Sequence, residues 1–150
     1  MRAVFFLALS CLLSACGSNN NATLKKSFAG QASGFSQAVV TEYNGLKTIH
    51  ISGQVGSGDD LATQMKGALK NIERILKENG ATFDDIVKMN HYIVDYQPAD
   101  LEAFRNTRKE VMGDENMPAS TLVGVTALFA SDYLIEIDAI AIVQVGEVVP

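Results

Sequence analysis

The chain has 150 residues and a formal net charge of −5, from seventeen Asp and Glu against twelve Lys and Arg. That acidic balance excludes nucleic acid as a partner, because phosphate neutralisation needs a basic footprint, while the length suits one domain with a sizeable core. With only Cys11, Cys16, His50 and His91 and no CxxC or HExxH spacing, no metal site is expected. No phosphate-loop or dinucleotide-type glycine pattern occurs and Gly56-Ser57-Gly58 reads as a turn, so no cofactor is expected either.

The first element is a leader. Met1-Arg2 precedes Ala3-Val4-Phe5-Phe6-Leu7-Ala8-Leu9 and Leu12-Leu13 with no further charge, the layout of a secretory signal peptide. The run falls short of the roughly 20 apolar residues that span a bilayer. It closes on Leu13-Ser14-Ala15-Cys16, which resembles the lipobox of bacterial lipoproteins, whose Cys receives a diacylglycerol thioether before cleavage. Cys11 fits less well, because Ala8 rather than Leu stands three residues before it. The expectation is a signal peptide over 1–15, lipid on Cys16, and anchorage to a cell-envelope membrane on the periplasmic side. Without Asp at position 17, the outer membrane is favoured in a Gram-negative cell. Residues 16–24 then form a tether, since Gly17-Ser18-Asn19-Asn20-Asn21-Ala22-Thr23 is uncharged and too poor in bulky residues to pack. Cleavage leaves 135 residues and, with Arg2 gone, a net charge of −6. Both cysteines then lie outside the folded domain, which packing alone must hold.

Beyond the tether, 36–43 and 47–55 are β-like runs joined by Asn44-Gly45, a strong hairpin signal because both residues tolerate positive φ. Asp59-Asp60 opens a helix in which Leu61, Met65, Ala68, Leu69, Ile72, Ile75 and Leu76 form one apolar stripe, and Gly80 after Asn79 stops it. Residues 86–95 read as a strand, with Val87, Met89, His91 and Ile93 alternating against Lys88, Asn90, Tyr92 and Val94. Pro98 starts a second helix that buries Leu101, Phe104, Val111 and Met112 and ends at Gly113. Strands over 118–128 and 134–145 follow, with Asp132-Tyr133 as the turn between them. The order predicts an α+β domain with two helices on one face of a mixed sheet. The other face needs a cover, which argues for an oligomer.

Glu136 and Asp138, two apart on the last strand, share a sheet face with Ile140 and Ile142. Partial burial there would raise carboxyl pKa values into a range useful for proton transfer. Structural pairing of Asp138 and a contact of Glu136 with a neighbouring subunit are the plainer alternatives. His50 and His91 read as packed or edge residues of strands.

Several segments in order resemble the RidA/YjgF/YER057c/UK114 family across residues 25–145: Ser33-Gly34-Phe35-Ser36-Gln37, Ile51-Ser52-Gly53-Gln54-Val55, Ala68-Leu69-Lys70-Asn71-Ile72 within 64–76, Asp84-Asp85-Ile86-Val87-Lys88, Pro118-Ala119-Ser120-Thr121, and Ile135-Glu136-Ile137-Asp138-Ala139-Ile140-Ala141. The domain is therefore set at 25–146, with 147–150 as a tail. The resemblance implies a chorismate-mutase-like α+β fold and a homotrimer with small-molecule pockets at the subunit interfaces. It also implies hydrolysis of reactive enamines and imines, released by pyridoxal-phosphate enzymes, to a 2-oxo acid and ammonia.

The same resemblance implies the site residues. Imine-hydrolysing members carry an Arg after Pro-x, whose fork binds the substrate carboxylate. Here Ser120 holds that position, and each lost charged hydrogen bond is worth about 1.5–3 kcal/mol. Phe35 stands where a Tyr is common, Arg105 where an Asn is typical of the second helix (with Arg108 one turn on), and Leu122 where some relatives have Cys. Gly53, which lets the backbone approach a ligand closely, and Glu136, which matches the carboxylate that organises water or relays a proton, are retained. The expectation is a hydrolase of the same chemical type with an altered substrate. The alternative is a non-catalytic lipoprotein that binds a metabolite or an envelope partner. The ribonuclease activity described for some relatives is opposed by the acidic charge and the export signal.

Overall fold

A computed structural model describes residues 23–32 and 34–146. The leader, Cys16 and the last four residues lie outside the described residues. Strands β1 (Lys25–Ala32), β2 (Phe35–Tyr43) and β3 (Leu46–Gln54) precede helix α1 (Leu61–Glu78). Strand β4 (Ile86–Val94), helix α2 (Asp100–Met112) and strands β5 (Ala119–Val125) and β6 (Ile135–Gln144) follow. The six strands form one sheet in the order β1-β2-β3-β6-β4-β5, antiparallel except for the parallel pair β4 and β5. This is the mixed α+β sheet expected, enlarged by β1. That strand escapes pattern reading because it is an edge strand in which, among the described side chains, Ala29 alone packs on the core. Nothing in Lys25-Lys26-Ser27-Phe28-Ala29 alternates.

The hairpin at Asn44-Gly45 forms as the sequence predicts, with φ of 48° and 74°. Asp60 caps α1 by accepting a hydrogen bond from the Thr63 backbone at 2.8 Å, which holds its carboxyl below the usual range. Gly80, at φ 71°, reverses the chain after α1. The α1 stripe meets Ala38, Ile49, Ile51, Met89, Ile93, Ile135, Ile137, Ala139 and Ala141 to form the core. α2 adds Phe104 and is tied to α1 by Lys66–Glu110 at 2.8 Å. In β4 the expected alternation breaks at Val87, which is exposed while Ile86 is buried. A register shift against β6 between Ile86 and Lys88 accounts for it.

Both helices pack against one side of the sheet. On the other side Phe28, Val39, His50 and Ile140 stand in register across four strands, and Val123 and Ile142 are exposed. His50 is thus a solvent-facing residue of an interior strand, neither packed nor on an edge.

A cavity at the end of the sheet

Gly53 lies near the end of β3, where the pairing with β6 is irregular between Ile51 and Gln54. The buried Gln54 side chain braces this bulge: Nε2 donates to Ser52 O at 2.9 Å, Gly53 O at 3.1 Å and Gln37 Oε1 at 2.9 Å. Ser52 Oγ donates to Ser36 O at 2.7 Å, locking β2 to the same bulge. Glu136, on the neighbouring strand β6, occupies the room that the missing Cβ of Gly53 leaves. Gly53 was expected to admit a ligand to the backbone; what it admits is this carboxylate.

Phe35, Ser52, Gly53, Phe129 and Glu136 line a cavity of about 360 Å³. A second, of about 310 Å³, shares the walls Phe35, Gly53 and Phe129 and adds Gln37, Gln54, Val55, Asn71 and Arg74. Phe129 sits in the β5–β6 connection, tilted against Tyr133 at 4.9 Å. Buried Gln64 of α1 pins that connection, donating to Asp132 O at 2.9 Å and accepting from the Leu134 N–H at 2.8 Å. Burial raises the Glu136 pKa above the ordinary carboxylate range, and the charge of Asp138 adds to it. Asp138 accepts hydrogen bonds from Asn90 Nδ2 at 2.8 Å and from the Tyr92 hydroxyl at 3.1 Å, so its oxygens are engaged structurally. A protonatable carboxyl against an aromatic-walled cavity can give a proton to a basic nitrogen and take one from water.

The structure thus brings together Phe35, Gly53 and Glu136. Ser120, Leu122 and Arg105 lie elsewhere within one chain. Leu122 pairs with His91 across β4 and β5 and packs on the core side of the sheet. Ser120 Oγ is 3.5 Å from His91 Nδ1 on that side. Arg105 is exposed on α2, while Arg108 stacks over the Phe104 ring at 5.5 Å. His91 is 1% exposed, meets Phe104 edge-on at 4.8 Å and contacts Thr121 O through Nδ1 at 3.1 Å, a packed core histidine.

Sequence reading missed Ser52, Gln54, Phe129 and Arg74. Phe129 offered one signal, being one of two large aromatics, with Tyr133, in the short connection 126–134. Arg74 offered none, being one of several charges on the outer face of α1.

Residues 26–143 match the model of the Endoribonuclease L-PSP family. The human 2-iminobutanoate/2-iminopropanoate deaminase is 37% identical over 119 residues, covering 72% of this chain and 79% of that protein. A RutC family protein of Pyrococcus abyssi is 37% identical over 90 residues, 60% of this chain and 67% of its own. Among solved structures, a member of the YjgF/YER057c/UK114 family from Mycobacterium tuberculosis superposes with a TM-score of 0.66 at 32% identity, covering 81% of this chain and all of that one. Matched in sequence over nearly the whole described domain and alike in fold, the chain belongs to the Endoribonuclease L-PSP family, the group also called RidA/YjgF.

Proposed function

We propose that the protein hydrolyses the C=N bond of a small imine or enamine tautomer at the Glu136 cavity, on a substrate other than the simplest 2-imino acids. The observation that carries this reading is the Glu136 carboxyl, its pKa raised by burial, seated over Gly53 against Phe35, Ser52 and Phe129. Water adds its oxygen to the imine carbon while its two protons end on nitrogen. The C–N bond then breaks to leave a carbonyl and ammonia. Glu136 serves first as acceptor of the water proton and then as donor to nitrogen.

The shift in substrate rests on Ser120, where a hydroxyl replaces the carboxylate-binding fork that the family resemblance implies. The test is side-by-side turnover of freshly generated 2-iminopropanoate by this protein and by the human deaminase. The expected rate is far below the human enzyme's, and whatever turnover is found disappears in Glu136→Gln. A matching rate would overturn the role given to Ser120. Turnover that survives Glu136→Gln would overturn the site. Ser120 also favours a second reading, a binding module without catalysis, for which a ligand-induced rise in Tm that ignores Glu136→Gln is the signature.

The open sheet face supports a homotrimer with its pockets at the subunit interfaces, and the family resemblance implies Ser120, Leu122 and Arg105 as residues of that pocket. Light scattering of the purified protein reads the assembly directly. Cys16 supports a lipid-anchored domain at the cell envelope. One acyl chain holds a protein to a membrane only marginally, but several chains on each of three subunits would make release negligible. An unmodified mature N-terminus in mass spectrometry, or unchanged processing and membrane fractionation of Cys16→Ser, would remove the anchor.

A further inference from the structure

Among the described residues that line the two adjoining cavities, Arg74 is the one basic side chain. It projects from α1 beside Asn71, one turn earlier, whose side chain is committed to Val55 O at 2.9 Å. Gln54 and Gln37 are likewise engaged, with each other. Among the described residues Arg74 is held by Glu78 alone, four residues on, at 2.8 Å, and both side chains are about half exposed. An exposed i, i+4 pair of this kind is weak and readily exchanged. A ligand anion entering the trough would therefore meet a guanidinium fork that can turn to it, with Glu78 as the displaceable competitor.

Glu136 lines one cavity and Arg74 the other, and Phe35, Gly53 and Phe129 line both. A ligand whose reacting carbon lies at Glu136 can present a charge to Arg74 only from a group removed from that carbon. We propose that Arg74 is the anion-binding residue of this site and that the substrate is an imine carrying an acidic group several bonds from its C=N carbon. This deepens the reading given above and rests on it. It also accounts for the uncharged residue at 120, since selection for a remote acid does not need a second cation beside the C=N carbon.

The probes are 2-iminoglutarate and 2-iminobutanoate, generated in the cuvette by an amino-acid oxidase from glutamate and 2-aminobutanoate, with 2-oxoglutarate and 2-oxobutanoate for binding. The full-length protein should prefer 2-iminoglutarate by about tenfold or more in kcat/KM, the size of one charged hydrogen bond. Arg74→Gln should collapse that preference through KM, and Arg74→Lys should restore part of it. Glu78→Gln should tighten 2-oxoglutarate by about twofold, the size of an exposed i, i+4 pair. A preference unchanged in Arg74→Gln, with both imines turned over, would overturn the proposal while leaving the hydrolase intact. Arg74-dependent binding of 2-oxoglutarate without turnover of either imine would uphold the anion site and overturn the hydrolase. If 2-oxoglutarate and 2-oxobutanoate bind alike to the native protein and to Arg74→Gln, the anion site is wrong.

Discussion

The carboxyl of Glu136 on β6 lies across Gly53 on β3, so that a Cβ at residue 53 would overlap the carboxyl oxygen and stand 2.5 Å from Cδ and 2.8 Å from Cγ. Gly53 does not have positive φ, so its backbone accepts another residue and only the side chain of Glu136 objects. Gly53→Ala should therefore fold, at a cost of about 1–3 kcal/mol from overpacking, with Glu136 pushed out of place. A denaturant titration reads the first effect. Turnover of the imine substrate reads the second, as a fall in kcat greater than the change in KM.

The pH dependence follows from the two carboxyls. The negative charge of Asp138 raises the Glu136 pKa, after burial has already raised it. Asp138→Asn removes that charge, so the limb of the pH–rate profile belonging to Glu136 should move to lower pH. A limb that stays put would mean that another group titrates.

Glu136 should also be a stability liability at neutral pH. Its folded pKa lies above its unfolded one, so the folded state resists the ionised form wherever both states are ionised. Glu136→Gln should raise Tm at pH 7, and the gain should vanish as pH falls below the ordinary carboxylate range, about 4.3. Paired thermal melts across that window check the sign.

His91 should behave in the opposite sense. Burial lowers its pKa; the hydrogen bond to Thr121 O raises it, only partly offsetting the burial, and the Arg108 charge lowers it further. The unfolded chain protonates near the ordinary value of about 6.5, before the folded chain does. Stability from this residue is thus fully present above that pH and lost as pH falls below it. The slope of stability against pH should be shallower there in His91→Leu, whatever its absolute stability. At pH 7 the bond to the Thr121 carbonyl requires the proton on Nδ1, which leaves Nε2 as a buried acceptor with no partner among the described residues. Imidazole nitrogen shifts in NMR report that tautomer.

A last prediction concerns helix α1. Alanine normally improves a helix over glycine by about 1 kcal/mol. At Gly67 a Cβ would stand 2.7 Å from the Cα of Gly56, where the chain leaving β3 crosses the helix backbone to backbone. Gly67→Ala should therefore destabilise, by about 1–3 kcal/mol, and a higher denaturation midpoint would contradict the close crossing.

The hairpin at Asn44-Gly45, the α1 stripe from Leu61 to Leu76 and the stop at Gly80 were legible because each is local. Positive φ and a helical repeat are written in neighbouring residues, whatever the rest of the chain does. The alternation of β6 told which of its residues share a face, and so put Glu136 with Asp138. β1 and the exposure of Val87 were not legible. An edge strand with one inward residue leaves little pattern, and a register shift is set by the partner strand.

Gly53 and Glu136 could be named from the resemblance, yet nothing in the chain order shows that 83 positions apart one exists to seat the other. That is decided when β6 inserts between β3 and β4, a long-range pairing. The same insertion sets Phe35 and Phe129 about the carboxyl and leaves Ser120 on the core side of the sheet, two strands away. What local chemistry fixes, the sequence determined: turns, caps, helix faces and the ionisable groups themselves. Which of those groups meet, and in what dielectric, only the tertiary structure decided, because burial and proximity belong to packing across the sheet and not to any segment.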